Sequence, residues 1–317
     1  MDQLDLEVAA LKANALADAT KKAYASYLQA YLSFCKTANL PALPASEVNI
    51  GRYIAFLYRS KSATSIPQYL TVIRLLHLEF GLPNPLQDNH HISSLIKGTK
   101  RLKGESLYKL TLTVGDLLAM KKYMSLNTPA DAQLWSIILT CFYGLLRISN
   151  VTAPYASSWD PAKVVKRKDI IIKDSGCIIS IRWSKTIQFK ERLFHAALPR
   201  LDTPLCPRDA LLHFLQIAGP IPADAPAWSY MTPSNTLNVP TPASIRPRLQ
   251  SLVVAIGLPP AHYNTHSLRR SGASHLLTSG VPLETIKVLG DWRSDSVFKY
   301  LKPTSSQQLA IANMSFN

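Results

Sequence analysis

The sequence predicts a mainly helical protein of two domains, with a small antiparallel β-sheet in the C-terminal domain. The chain of 317 residues is long enough for two hydrophobic cores, since domains average roughly 100–200 residues. Its N-terminal third repeats apolar side chains at helical spacing. Further on, two β-rich runs are joined by Asp174-Ser175-Gly176, a strong hairpin signal. We therefore predict a helical domain over residues 1–105 and a mixed domain over 106–317.

Capping residues locate the helices of the first domain. Thr20, Ser46 and Ser65 each precede a segment in which apolar residues recur three or four positions apart, so each is expected to begin a helix. A fourth helix is expected from about His90, and it ends in the basic stretch 97–104, which contains two glycines. This stretch is the predicted domain boundary. It is either a solvated linker or a basic strap that lies along phosphates.

The second domain is predicted to mix helices with three strands. Nine of the 22 prolines lie between Pro199 and Pro242, which predicts a surface excursion there. Gly280 and Gly290 are expected to end the helices that precede them. The expected helices cover 113–124, 131–146, 209–217, 243–256, 266–278, 282–289 and 294–301, and the expected strands cover 169–173, 177–183 and 193–198.

Charge and composition favour a nucleic-acid partner. The chain holds 35 Lys and Arg against 20 Asp and Glu, for a formal net charge of +15. Residues 1–105 carry 12 basic and 8 acidic side chains, and residues 106–317 carry 23 and 12. Both domains are therefore basic, and a polyanion is expected to contact both. The 47% of hydrophobic residues excludes a mostly disordered chain.

The sequence predicts neither a metal site, a disulfide framework nor a membrane segment. Its four cysteines form no Cys-x-x-Cys pair and lie at no metal-ligand spacing from a histidine, so reduced thiols are expected. No apolar run reaches about 18 residues, and the N-terminus lacks a secretory signal. A soluble, intracellular protein is therefore expected. The cysteines are Cys35, Cys141, Cys177 and Cys206.

The segment 265–275 contains a candidate phosphate-binding pair. With Thr265 or Asn264 as the cap, His266 and Arg269 lie on one face of the first helical turns. The free N–H groups and positive dipole of that turn favour an oxyanion. An imidazole beside a guanidinium can donate hydrogen bonds to the oxygens of a phosphodiester. Taken alone, the pair is a weak signal and more typical of an ordinary helix surface.

Two further cations follow buried elements. Arg147 closes a long apolar run, so its guanidinium must reach water or an anion, or cap the end of its own helix. Lys185 directly follows the second strand of the hairpin and is either a proton donor or a solvated lysine. Neither residue identifies a site without the others.

The segment 289–301 adds an indole and a phenol. Tyr300 lies eight residues after Trp292, near the end of a predicted short helix. A tyrosine can act as a nucleophile and form a covalent intermediate. The chain has 13 tyrosines, and most of them are expected to serve packing. Tyr300 is therefore a candidate nucleophile only in combination with the other candidate residues.

Taken together, these residues resemble the pattern of the tyrosine recombinases of the phage-integrase kind. The motifs GLLRISN and HSLRRSGASHLL…GVPLETIKVLGDW…Y are similar to the two arginine boxes of that family. The ending LGDWRSDSVFKYL is most similar to the Crypton-type and related eukaryotic mobile-element enzymes. The six matching positions are Arg147, Lys185, His266, Arg269, Trp292 and Tyr300.

The resemblance implies a role for each position. Tyr300 would attack the scissile phosphate, while Arg147 and Arg269 would hold its non-bridging oxygens. Lys185 would protonate the leaving 5′ oxygen. Two guanidiniums and an ammonium can neutralise the pentacoordinate phosphorus without a metal ion, which agrees with these roles. No cofactor is therefore expected.

His266 and Trp292 complete the implied site, and the chain departs from the family at two points. His266 would act as an acid or base, and Trp292 would bind the phosphate through its indole N–H in place of a second histidine. Asn150 stands where the family usually has an acidic residue. The interval from Trp292 to Tyr300 is one residue shorter than in the phage enzymes, and Asp291 would fit the longer interval. A carboxylate there would repel the phosphate, which favours Trp292.

The resemblance also implies a C-shaped clamp around double-stranded DNA, with 1–105 as the core-binding domain and 106–317 as the catalytic domain. A homo-oligomer is implied, a dimer on one site and a tetramer in synapsis. The tail 302–317 is expected to dock on a neighbouring protomer. Further DNA contacts are predicted for Lys97, Lys100, Arg101, Lys103 and Arg270.

Two alternatives stay open. A type IB topoisomerase uses a similar set of residues to relax DNA as a monomer. A domesticated, non-catalytic DNA-binding protein would keep the fold alone, and the run 282–301 is compatible with a helix-turn-helix. A eukaryotic mobile-element enzyme would act in the nucleus, and a prokaryotic one in the cytoplasm or nucleoid.

Overall fold

The computed structural model describes residues 2–104, 109–189, 191–294, 297–298 and 313. The chain separates into two compact units, residues 1–108 and 109–317. Helices dominate both units, and a three-stranded antiparallel sheet lies in the second. This architecture confirms the predicted fold class. Within the described residues, no helix is both long enough and apolar enough to span a bilayer.

The first unit contains five helices within its described residues. Ser46 caps the third, as predicted, by accepting a hydrogen bond from the backbone N–H of Asn49. The first helix was not predicted because none of its residues is buried, so no apolar face marks it. The helices are α1 (Gln3–Asn14), α2 (Asp18–Thr37), α3 (Glu47–Ser60), α4 (Ile66–Glu79) and α5 (His90–Lys103).

The basic stretch at the end of this unit is helical. Residues 97–103 form the last turns of α5, and Gly104 ends the helix with a φ of +67°. The apolar sides of α2 to α5 enclose the core of the unit, in which Tyr31, Ile50 and Tyr53 are buried. The predicted boundary after residue 105 lies close to the division between the units.

The second unit surrounds the buried helix α7. The three strands pair in the order β1-β2-β3, with Ile179 of β2 opposite both Ile170 and Ala196. A short hairpin in the proline-rich excursion was not predicted, since each of its strands has two residues. The elements are α6 (Val114–Lys121), α7 (Pro129–Tyr143), α8 (Ile148–Val151), β1 (Ile170–Lys173), β2 (Gly176–Ile181), β3 (Phe194–Pro199), α9 (Pro207–Ile217), β4 (Tyr230–Met231), β5 (Leu237–Asn238), α10 (Pro242–Ala255), α11 (Thr265–Thr278) and α12 (Leu283–Leu289).

Helix α11 packs directly against the end of α7. A Cβ on Gly272 would lie 1.9 Å from the carbonyl oxygen of Phe142, so only glycine allows this approach. The predicted helix over 131–146 ends earlier, at Tyr143, because Leu145 takes a φ of +50°. The four cysteines are buried and free. The contact between α11 and α7 places the first turn of α11 beside the segment that carries Arg147.

Candidate active site

Two helices end in the same way beside α11. Helix α7 is followed by Gly144 and then Leu145, and α12 by Gly290 and then Asp291. Leu145 and Asp291 are left-handed, with φ of +50° and +54°. Carbonyl groups at a helix C-terminus have no partner within the helix and carry the negative end of its dipole. Both ends are therefore suited to hold a cation.

Gly290 ends α12 as predicted, but it does not take the left-handed conformation for which glycine is usually favoured at a helix end. Its φ is −95°, so the residue that reverses the chain is Asp291. A Cβ on Gly290 would lie 1.7 Å from the ring of Trp292. Glycine is required there because the indole occupies the space of a side chain.

Arg269 joins the two helix ends. Its Nη1 donates to the carbonyl oxygen of Leu145, and its Nη2 donates to that of Gly290 at 2.6 Å. The guanidinium carbon lies 3.8 Å from the centroid of the Trp292 ring, a cation–π contact. Arg269 is 1% exposed. It is therefore a buried, positioned cation and not part of an open helix surface.

His266 lies at the N-terminus of α11, partly buried. Asn264 caps the helix, and its side-chain oxygen accepts hydrogen bonds from the backbone N–H groups of His266 at 2.9 Å and Ser267 at 3.2 Å. Thr265, the other predicted cap, is the first residue of the helix. The backbone of His266 is thus fixed one turn before Arg269, on the same side of the helix.

Four cations act on the imidazole of His266. Burial, and after it the charges of Arg269, Arg147, Arg270 and Lys185 in that order, together lower its pKa from 6.5 to about 4. The imidazole is therefore neutral at pH 7. Three of these cations, from separate segments of the chain, were predicted catalytic residues, and the fourth, Arg270, was a predicted DNA contact.

Asn150 positions the start of α8, where Arg147 lies. The Oδ1 atom of Asn150 accepts a hydrogen bond from the backbone N–H of Arg147 at 3.0 Å, and Asn150 is 6% exposed. An amide oxygen serves as this acceptor as a carboxylate would, without adding a negative charge. The buried amide of Asn150 therefore fixes the backbone of Arg147.

Lys185 lies in a tight turn after β2 and is exposed. The backbone groups of Ser184 and Ile187 exchange two hydrogen bonds of 3.1 Å across this turn. Thr186, the next residue, donates from its hydroxyl to Oδ2 of Asp291 at 2.5 Å. The turn is thereby tied to the segment that follows α12.

Sequence reasoning missed the contacts of Asp291. The sequence suggests Asp291 only as an alternative to Trp292 at the phosphate, whereas its carboxylate binds the hydroxyl of Thr186 and the guanidinium of Arg192. Arg192 carried no signal in the sequence, because it stands in no motif and 99 residues before its partner.

The remaining predicted site residues are placed as follows. Tyr300 and the tail 302–317, apart from residue 313, lie outside the described residues. Arg270 donates to the carbonyl oxygen of Lys109. Lys103 donates to the carbonyl oxygen of Lys61 at 2.5 Å and lies 4.9 Å from the ring centroid of Tyr58.

The other basic residues of α5, Lys97, Lys100 and Arg101, are exposed. Within the described part of the chain, no group of three or more His, Cys, Asp or Glu side chains is arranged to hold a metal ion. What the described site offers chemically is a neutral imidazole among guanidinium and ammonium groups, an arrangement suited to a phosphate.

Comparison with known proteins shows the fold. No protein-family model and no curated protein matches the chain. The Tn1549 transposon integrase (residues 82–397) in complex with circular intermediate DNA superposes with a TM-score of 0.63 at 12% identity, over 97% of this chain and 98% of that one. The XerH site-specific recombinase bound to palindromic difH, a post-cleavage complex, gives 0.65 at 15% identity over 93% and 80%.

A lambda integrase (75–356) dimer bound to a COC′ core site gives a TM-score of 0.61 at 16% identity, over 95% of each chain. At these identities the comparison establishes a shared fold. The chain therefore has the fold of the site-specific recombinases and integrases along nearly its whole length.

Proposed function

We propose that this chain is a tyrosine recombinase, which cleaves and rejoins DNA strands at specific sites through a 3′-phosphotyrosyl intermediate. The observation that carries the proposal is the convergence of the charges of Arg147, Arg269 and Lys185 on His266. They meet in a fold shared with recombinases and integrases. Tyr300 is the proposed nucleophile.

The bound phosphate is held by the cations. Arg147 and Arg269 attract the non-bridging oxygens, whose negative charge grows as the phosphorus becomes pentacoordinate. The indole N–H of Trp292 is a further donor. Because the carbonyl groups of Leu145 and Gly290 fix Arg269, its charge needs no reorganisation during the reaction.

The chemical step transfers one phosphoryl group and two protons. The Tyr300 oxygen attacks phosphorus, and the phenolic proton passes to the imidazole of His266, which is neutral at pH 7. The bond from phosphorus to the 5′ oxygen breaks, and the ammonium of Lys185 donates a proton to that oxygen. Such a proton donor contributes about 10²- to 10⁴-fold in rate.

Rejoining reverses these steps. A free 5′ hydroxyl attacks the phosphotyrosyl ester, gives its proton to Lys185 and releases Tyr300. Since the ester conserves the energy of the broken diester, exchange between two duplexes needs no nucleotide. The site cations supply the positive charge that the transition state requires.

The two parts of the chain divide the work in this proposal. Residues 1–105 bind DNA through backbone phosphates, with the exposed face of α5 as one contact, and residues 106–317 hold the chemistry. The mobile-element context, the Crypton-type relationship, action in the nucleus and an oligomer assembled through the tail 302–317 are further parts of the proposal. The recombinase fold and the ending LGDWRSDSVFKYL support them.

Covalent capture tests the proposal without knowledge of the target site. The protein is incubated with a pool of random-sequence duplexes, each nicked so that cleavage releases a short fragment that cannot be rejoined. We expect a DNA adduct that survives SDS with the wild-type chain and none with Tyr300→Phe. Tyr123→Phe, at an exposed tyrosine, is the matched control and should give the adduct. An undiminished adduct with Tyr300→Phe refutes the proposal.

The same experiment separates the two alternatives. DNA binding without any adduct indicates a domesticated DNA-binding protein. An adduct together with relaxation of a supercoiled plasmid by the monomer, and no exchange between two captured sites, indicates an activity of the type IB topoisomerase kind.

A further inference from the structure

The loop that carries Lys185 is tied to the segment after α12 by two ion pairs and a hydroxyl contact. Oδ1 of Asp291 accepts from Nη2 of Arg192, and Oδ2 accepts from the Thr186 hydroxyl at 2.5 Å. Beside this contact, Nη2 of Arg293 lies 3.1 Å from Oε1 of Glu191. Each segment thus contributes one acidic and one basic residue to the connection.

Burial makes the pair formed by Asp291 the stronger of the two. The side chain of Asp291 is 11% exposed and that of Arg192 is 31% exposed. The outer pair has 34% for Glu191 and 53% for Arg293. Water and salt screen an exposed pair, and such pairs contribute little. The carboxylate of Asp291, with both oxygens bonded, is therefore the main anchor of the loop.

The left-handed backbone at position 291 accommodates an aspartate but does not require its carboxylate. The N–H groups of Asp291 and Trp292 bond to the carbonyl groups of Val288 and Lys287 at 3.1 and 2.9 Å, the arrangement that ends many helices. Glycine is the residue that this left-handed position favours. The carboxylate is thus what distinguishes Asp291 from the expected glycine.

The neighbours of this anchor are the proposed catalytic groups. Thr186 directly follows Lys185, and Trp292 directly follows Asp291. The centroid of the Trp292 ring lies 3.8 Å from the guanidinium carbon of Arg269. A single carboxylate therefore connects the turn of the proposed proton donor with the residues that surround the buried guanidinium.

We infer that Asp291 is a positioning residue for Lys185. By holding Thr186 and Arg192, it sets the turn 184–187 at the distance from which the ammonium of Lys185 reaches the leaving 5′ oxygen. This inference rests on the proposed function. It assigns to Asp291 a role in one step of the reaction, the protonation of the leaving group, and no contact with the phosphate.

A substrate with sulfur in place of the bridging 5′ oxygen isolates that step. A thiolate leaves without a proton donor because a thiol has a pKa of about 8.5, far below that of an alcohol. Cleavage of the captured target sequence is measured with the ordinary and the 5′-thio strand. If Asp291 acts through Lys185, its variants cleave the ordinary strand slowly and cleave the 5′-thio strand at about the wild-type rate.

Two variants separate the carboxylate from the backbone. Asp291→Gly keeps the left-handed turn and removes the carboxylate. Asp291→Asn keeps an acceptor for Thr186 and removes the charge that faces Arg192. We expect Asp291→Gly to slow cleavage of the ordinary strand by about 10²-fold, the effect of a displacement of about 1 Å, with a smaller loss for Asp291→Asn. On the 5′-thio strand both should lie within about threefold of wild type, like Lys185→Ala.

Two control variants are compared with the Asp291 variants on both strands. Arg293→Gln breaks the exposed pair and should cleave both strands at the wild-type rate. Arg269→Lys should stay slow on both, because it changes the phosphate site itself. Thermal unfolding of the Asp291 variants should remain cooperative, with a midpoint lower than that of the wild type but above the assay temperature, which verifies that they fold.

The outcomes distinguish the inference from the proposed function. Asp291 variants that stay slow on the 5′-thio strand, or that cleave the ordinary strand at the wild-type rate, overturn the inference. Failure of Lys185→Ala to recover on the 5′-thio strand overturns it as well, since Lys185 is then not the proton donor. A wild-type chain that cleaves neither strand overturns the proposed function instead.

Discussion

Arg269 owes its position to backbone carbonyl groups. Its two bonds, to Leu145 and Gly290, each come from a helix end where the chain turns left-handed one residue after a glycine. A guanidinium can span two such acceptors because its N–H groups form a rigid fork, which an ammonium cannot copy. The sequence motif predicts that this arginine belongs to the site. The carbonyl groups that bind it lie 124 and 21 residues away in the chain, so the motif does not indicate them.

The low pKa of His266 predicts a pH-dependent stability. Folding lowers this pKa from 6.5 to about 4 through burial and the surrounding cations. Between these values the unfolded chain binds more protons than the folded one, so the free energy of unfolding falls as the pH falls from 6.5 towards 4. Relative to His266→Gln, the wild type should lose about 2 kcal/mol between pH 7.5 and 4.5.

Urea unfolding of both proteins at the two pH values measures this difference. Other groups titrate alike in both, so the difference between the proteins isolates His266. Equal losses in the two proteins would contradict the buried, cation-surrounded position of the imidazole.

The contact of α11 with α7 leaves no room for an added methyl group. Gly272→Ala places a Cβ 1.9 Å from the carbonyl oxygen of Phe142, so the helices must separate. We expect a loss of about 1–3 kcal/mol in the free energy of unfolding. Catalysis should fall as well, because Arg269 and His266 move with α11.

Gly98 provides the matched control. It lies inside α5, with nothing within 4 Å of a built Cβ. Gly98→Ala should therefore leave the protein as stable or raise its stability by up to about 1 kcal/mol, since alanine favours a helix. Chemical denaturation of the two variants should show changes of opposite sign, and equal changes would refute the steric account.

The exposed basic face of α5 predicts a salt effect on DNA binding. Replacing Lys97, Lys100 and Arg101 by Gln should reduce the slope of log affinity against log salt by about 0.9 for each phosphate that these side chains neutralise. Lys36→Gln, at an exposed position of α2, is the control and should leave the slope unchanged. Titrations of a labelled duplex at several salt concentrations measure both. An unchanged slope in the triple variant removes α5 from the interface.

Several helix starts marked by a capping side chain were predicted to within one residue, whereas the predicted cap Thr20 lies inside α2, which begins at Asp18. Ser46, Thr113 and Asn264 cap helices through side-chain bonds that their residue types announce. Ends depend on single backbone angles, such as the positive φ of Leu145, which nothing in an apolar run indicates. The resemblance of the sequence motifs to those of the recombinases predicted the candidate site residues. The pairing of Asp291 with Arg192 is visible only in the folded chain.

On the scale of the whole molecule, the basic side chains behind the net charge of +15 are expected to make two kinds of contact with DNA. Most cations are expected to bind backbone phosphates regardless of sequence. Arg147, Lys185 and Arg269 are proposed to act on one phosphate. Their charges all act on the imidazole of His266.

Assembly is predicted to depend on the C-terminal tail. Deleting residues 304–317 should weaken synapsis of two DNA sites at least tenfold and change the affinity for one site by less than twofold. Its apolar residues, among them Leu309, Ile311 and Met314, are expected to dock on a neighbouring protomer. Gel-shift titrations that resolve single-site and synaptic complexes test this. Unchanged synapsis would refute the role of the tail.

The identity of the residue that becomes linked to DNA tests the central claim most directly. The captured adduct is digested with nuclease and trypsin, and the modified peptide is sequenced by mass spectrometry. Tyr300 is the only tyrosine of the C-terminal tryptic peptide, 300–317. The account predicts a 3′-phosphonucleotide on Tyr300. A nucleotide on any other residue, or one linked through its 5′ phosphate, would contradict it.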